Sequence, residues 1–191
     1  MTKNFFTIIL ILLILLITTG VVLVHYLSKS EAIPETEKTK SAAEKGVILE
    51  LFSPKNEYKT GEIIKVEVQL DSGDELVEGV DILLYYNPNF LKLKTENGFL
   101  NTSESIFSTF PSPKVNIKKG EIIFSALASP PKGNFKGKGK IATLTFEAIK
   151  KGETTIEFAF TPGATRDSNV SSFSEPKDLL EKVKNLKLKI Y

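Results

Sequence analysis

Cysteine and tryptophan are absent from this 191-residue chain, and histidine and methionine occur once each. Without cysteine there can be no disulfide, no thiolate zinc site, no thiol nucleophile and no lipid-bearing anchor cysteine. The one histidine, His25, directly follows a long apolar run. That position removes Ser-His-Asp triads, HExxH zinc sites and imidazole acid-base chemistry from everything downstream. An excess of charge of one sign is also missing, because 25 Lys plus Arg stand against 23 Asp plus Glu, a formal net of +2. Nucleic acid is therefore not expected as a partner.

What the chain does have begins with Phe5 to Val24, a run of 20 residues without a charge. At about 1.5 Å per helical residue such a run crosses a hydrocarbon core of about 30 Å. No small-residue cleavage pattern follows it, since Val24-His25-Tyr26-Leu27-Ser28 comes next, so it reads as an uncleaved anchor over residues 5–27 with a cytoplasmic tail at 1–4. Lys29, Lys38, Lys40 and Lys45 lie beyond it against Lys3 before it, but large following domains translocate largely regardless of charge. The expectation is a single-pass membrane protein with the C-terminal part outside the cell. Residues 28–46, SKSEAIPETEKTKSAAEKG, carry one large apolar residue, Ile33, and read as a solvated stalk.

From residue 47 to 191 the periodicity changes to two. Short apolar runs alternate with Gly, Pro, Asn and Ser clusters, the pattern of an all-β sandwich, here with about nine strands. Ile64, Val66, Val68 and Leu70 point one way while Lys65, Glu67 and Gln69 point the other. The same alternation puts Val80, Ile82, Leu84 and Tyr86 inside, then Leu91 and Leu93, then Ile122, Phe124 and Ala126. Ala142, Leu144, Phe146 and Ala148 follow, then Ile156, Phe158 and Phe160, and finally Leu186, Leu188 and Ile190. Ser174 to Val183, SEPKDLLEKV, reads as a short capped helix or a loop. Such a segment is long enough to bury its own core without disulfides.

Two strands carry more apolar residues than one buried face needs. In Gly79 to Tyr86 the outward positions are Gly79, Asp81, Leu83 and Tyr85, and in Glu121 to Leu127 they are Glu121, Ile123, Ser125 and Leu127. If the two strands are neighbours, Leu83, Tyr85, Ile123 and Leu127 form an exposed apolar patch edged by Asp81 and Ser125, the composition of a protein-binding face. The alternative is that a loop such as residues 97–113 covers it.

These residues also resemble a known family. Gly79-Val80-Asp81-Ile82-Leu83-Leu84-Tyr85-Tyr86-Asn87-Pro88-Asn89-Phe90-Leu91 is similar to the G-V-D-x-x-L-x-Y-D-P-x-x-L signature of cohesin modules, with Asn87 in place of the usual Asp. Gly137-Lys138-Gly139-Lys140-Ile141-Ala142-Thr143-Leu144-Thr145-Phe146 resembles their G-x-G-x-I-A-T-L-T-F strand, and Lys151 to Ile156 the K-x-G-x-T-x-I that follows. Tyr58-Lys59-Thr60-Gly61-Glu62 resembles the entry to the second strand. The resemblance implies a nine-stranded jelly-roll sandwich, related to carbohydrate-binding modules. It further implies a dockerin-type partner protein that carries the calcium itself, through which polysaccharide-degrading enzymes or other proteins are attached. The family's partner-binding sheet includes the strands matched by 78–86 and 121–127. The expected partner-binding residues are Gly79, Asp81, Leu83, Tyr85, Ile123, Ser125 and Leu127, the outward positions of the two strands; the resemblance implies that Asp81 accepts hydrogen bonds from the partner.

Other chemistries fit less well. Asp71, Asp74, Glu75, Glu78 and Asp81 lack the spacing of an EF-hand and straddle a turn and a strand, so they read as a solvated turn. Lys132 to Lys140, KGNFKGKGK, lacks the phosphate-loop order and precedes a strand, so it reads as a mobile basic hairpin. No carboxylate pair stands out for glycoside hydrolysis; neither an enzyme nor a cofactor is expected. Tyr85 is the one strand tyrosine placed outward, so a polysaccharide-binding surface module is a rival reading, and a structural surface protein assembling through strand edges is another.

Overall fold

The computed structural model describes residues 46–96, 98–129 and 132–191. The anchor, the tail and all of the stalk but Gly46 lie outside the described residues. Within them the chain is all β, and no helix is long and apolar enough to cross a membrane. The strands are β1 (Val47–Phe52), β2 (Glu57–Tyr58), β3 (Ile63–Asp71), β4 (Val77–Tyr86), β5 (Leu91–Leu93), β6 (Leu100–Asn101) and β7 (Lys114–Asn116). They continue with β8 (Glu121–Leu127), β9 (Lys138–Ala148), β10 (Gly152–Phe158), β11 (Asn169–Ser172), β12 (Leu180–Lys184) and β13 (Leu186–Ile190). These are thirteen segments where the periodicity suggests about nine; β2, β6 and β7 are only two or three residues long, too short to show an alternation.

The segments form two sheets. One runs β12-β1-β3-β9-β5 with β6 also on β9, and the other runs β2-β13-β10-β4-β8-β7 with β11 also on β4. Pairing is antiparallel except for β1 with β12 and β13 with β2. The sheets share one core because their inward positions are those of the period-two pattern. Ile64, Val66, Val68 and Leu70 are fully buried, as are Leu84, Ile122, Leu144, Phe146 and Ile156. Phe160 is the exception, only partly buried against the core. Residues 44–191 form one compact unit, and with a core of its own such a unit is large enough to fold alone.

Three stretches differ from their sequence reading. Ser174 to Leu179 is a loop rather than a helix, and Leu180 to Lys184 is neither but a strand, β12, lying parallel to β1 with Leu180 opposite Val47. The basic hairpin is tied down rather than mobile. Phe135 exchanges two backbone hydrogen bonds with Val77, at 2.8 and 3.0 Å, and Gly137 N–H donates to Ser72 Oγ at 2.9 Å. The segment before β7 does not lie across the outer face. It sends Phe107 into the core, 1% exposed, against the ring of Phe135.

Candidate partner-binding face

β4 lies inside its sheet, so both of its flanks are paired. β8 runs antiparallel along one flank, with Gly79 opposite Leu127, Asp81 opposite Ser125, Leu83 opposite Ile123 and Tyr85 opposite Glu121. The other flank is shared: β10 takes Leu84 to Tyr86, and β11 takes Val77 to Asp81. Ser168, fully buried, joins the two at Leu83. Its Oγ accepts from Leu83 N–H at 3.0 Å and lies 3.1 Å from Leu83 O, to which it donates.

The adjacency that the patch requires is therefore present. Tyr85, Ile123 and Leu127 are 38, 41 and 40% exposed, and Leu83 is half-buried beside them. Directly opposed residues of an antiparallel pair have Cβ atoms about 5 Å apart, so the strip has an apolar centre at Leu83, Ile123 and, on the next outward row, Tyr85, and the Asp81–Ser125 row separates it from Leu127. The 102–113 segment reaches only the strip's edge, where Thr109 pairs with Leu127. There Ser108 Oγ and Thr109 Oγ1 meet Ser129 Oγ at 2.8 and 2.6 Å.

The polar members are less alike. Ser125 Oγ donates to Asp81 Oδ1, which fixes that carboxylate across the strand pair and leaves Oδ2 with no partner among the described residues. Gly79 faces outward but is buried, because Leu127 lies over it. A Cβ at Gly79 would fall 2.7 Å from Leu127 Cδ2 and 3.0 Å from Ala126 O. Its contribution is to let Leu127 lie flat.

The register adds residues that the alternation of β4 and β8 alone did not reveal. Glu157 of β10 lies opposite Tyr85, and Asn169 of β11 opposite Asp81. β11 has no distinctive motif, and the one that opens β10 stops at Ile156, short of Glu157. Beside Tyr85 is a recess of about 350 Å³ lined by Asn87, Pro88, Thr155 and Glu157. Among the described residues no group of His, Asp and Glu side chains is arranged to hold a metal ion.

Strand pairing and strip thus fall on one sheet, the signature residues lie on β4 and β10 of that sheet and on β9 of the other, and the family model of the cohesin domain matches residues 49–175. The chain belongs to the cohesin family. Solved cohesins share its fold at low identity. A type II cohesin from the cellulosome of Acetivibrio cellulolyticus is 16% identical over 75% of this chain and 95% of its own, with a TM-score of 0.56. A type I cohesin–dockerin complex from Clostridium thermocellum matches at 19% identity, 75% and 91% coverage, and a TM-score of 0.58. The cohesin module of a Clostridium perfringens family 33 glycoside hydrolase matches at 11% identity, 76% and 96% coverage, and a TM-score of 0.58. No curated protein matches the chain. Cohesin domains are non-catalytic modules of protein–protein interaction.

Proposed function

We propose that this cohesin binds a dockerin-type module through the outer face of β4 and β8, and that residues 5–27 hold it in a membrane with the domain outside the cell. The carrying observation is the strip itself. Leu83 and Ile123 lie side by side with Tyr85 on the next row and Leu127 beyond Asp81 and Ser125, all partly exposed, on a chain that belongs to the family. Burial of the strip would supply the association energy, and Asp81, held by Ser125, would accept a hydrogen bond that sets the partner's orientation. Calcium belongs to the partner in this reading, and the attached cargo is a polysaccharide-degrading enzyme or another surface protein.

The test is calorimetric titration of residues 46–191 with a panel of dockerin modules in calcium. Binding that chelation abolishes, and that the Asp81→Ala/Leu83→Ala double variant loses while staying folded, is the expected result. Affinity unchanged in the double variant would remove the site. Absence of heat with every dockerin would remove the partner class, and retention on insoluble polysaccharide lost in Tyr85→Ala would then favour a glycan.

A further inference from the structure

Carboxylates meet lysines on the outer face of one sheet and at the β2-β13 edge of the other, where Glu57 lies 3.7 Å from Lys189, but not around the apolar strip. On the β1-β3-β9 side Glu50, Glu67 and Glu147 each meet a lysine, Lys138, Lys140 and Lys94, at 3.3, 3.5 and 3.6 Å. Around the apolar strip, Asp81, Glu121 and Glu157 have no ion-pair partner among the described residues. Two of these bracket one ring, because Glu121 and Glu157 are the cross-strand neighbours of Tyr85, one on each flank. An aromatic face attracts a cation, and carboxylates at both edges add to the attraction.

We propose that Tyr85 with Glu121 and Glu157 is a seat for a cationic side chain, arginine or lysine, carried by the partner at the end of its apolar ridge. The proposal rests on the partner-face reading above and adds the chemistry of one subsite. A partner that covered this end with apolar groups alone would bury two carboxylates unpaired, which is strongly unfavourable. The nearest cations do not fill the seat. Lys114 lies across from Ile123, and Lys187 across from Thr155, each on a different cross-strand row from Tyr85, and Lys119 belongs to the turn before β8. The recess beside Tyr85 gives room for a guanidinium to approach along Glu157.

The first test needs no partner. NMR titration of residues 46–191 with N-acetyl-arginine amide, against N-acetyl-glutamine amide as the uncharged control, should shift the Tyr85 ring resonances saturably with the arginine compound alone. That shift should vanish in Glu121→Gln/Glu157→Gln and persist in Glu75→Gln, whose carboxylate lies off this face. No shift, equal shifts from both compounds, or a shift unchanged in the double variant overturns the seat. In a second arm, any dockerin that binds should lose about tenfold or more in affinity to the same double variant. A dockerin that binds it unchanged overturns the seat and leaves the partner face standing. Saturable arginine binding with no dockerin binding overturns the dockerin reading and leaves the seat standing.

Discussion

Gly120 closes the turn before β8 with φ at +66°, and a Cβ built there would lie 1.9 Å from Tyr86 O. The approach is that close because Tyr86 N–H donates to Gly120 O at 2.8 Å, fastening the turn to the end of β4. Gly120→Ala should therefore cost about 3 kcal/mol, left-handed strain and overlap together. Urea denaturation checks this, and a loss below about 1 kcal/mol would show that the turn re-forms without the contact. Tyr86 itself is a second residue-scale case. Its ring packs edge-on to Phe146, with centroids 5.1 Å apart, and its hydroxyl is buried with no hydrogen-bond partner among the described residues. Burial raises its pKa above the ordinary tyrosine value. With the folded value above the unfolded one, the folded state keeps a proton that the unfolded chain has lost, so this group's contribution is intact below about pH 10 and falls away as pH rises further. Tyr86→Phe should leave neutral-pH stability unchanged or raise it by up to about 1 kcal/mol. It should also flatten the alkaline decline; an equally steep decline in the variant would assign it to other groups.

At the scale of elements, the long strands were legible because a half-buried strand alternates in composition, and every inward residue from Ile64 to Leu70 and from Val80 to Tyr86 is buried. The patch was legible for the same reason, since excess apolar residues at outward positions need an explanation. What period two cannot show is which strand lies beside which, or where a short segment joins. Leu179, Leu180 and Val183 have helical spacing, yet backbone pairing with β1 makes β12 a strand. Phe107 enters the core from a segment with no periodicity at all, and Ser168 is a small polar residue that looks like any loop serine. Its two bonds to Leu83, with Ala159 N–H donating to Leu83 O at 2.9 Å, mark where β10 hands over to β11, with Glu157 and Asn169 on either side of that point. Ser168→Ala leaves the buried Leu83 N–H without its acceptor, at a cost of about 1–3 kcal/mol. Amide hydrogen exchange at Leu83 should accelerate with it, and unaltered protection there would show that β4 is held without the junction. β13 makes a related point, because the family match ends at residue 175 while Leu186, Leu188 and Ile190 are buried beyond it. Burying each such side chain contributes about 1.5–3 kcal/mol, so removing residues 176–191 takes away as much as many domains have in total. The truncated domain should lose its thermal unfolding transition by circular dichroism, and a cooperative transition near that of the intact domain would show β13 to be an accessory strand.

For the whole molecule, two parts of the chain make separate demands on their surroundings. The cohesin domain has a core of its own, since residues 44–191 form one compact unit, and its polar outer faces suit it to water. Residues 5–24 need the opposite, because a run of 20 residues without charge costs far more free energy in water than in hydrocarbon. On the proposed reading, a receptor gains from that division. A domain fixed at a surface meets its partner from one side only, and a cargo it captures stays at the cell without any covalent bond. If the division holds, the full chain should remain in the membrane fraction through an alkaline carbonate wash. A chain lacking residues 1–27 should be soluble, with the same thermal transition and the same partner affinity as residues 46–191. Added protease should then cleave the domain from intact cells. A full chain released by carbonate would remove the anchor. Protection from protease in intact cells, lost on lysis, would place the domain on the inner side and leave the partner face to serve there.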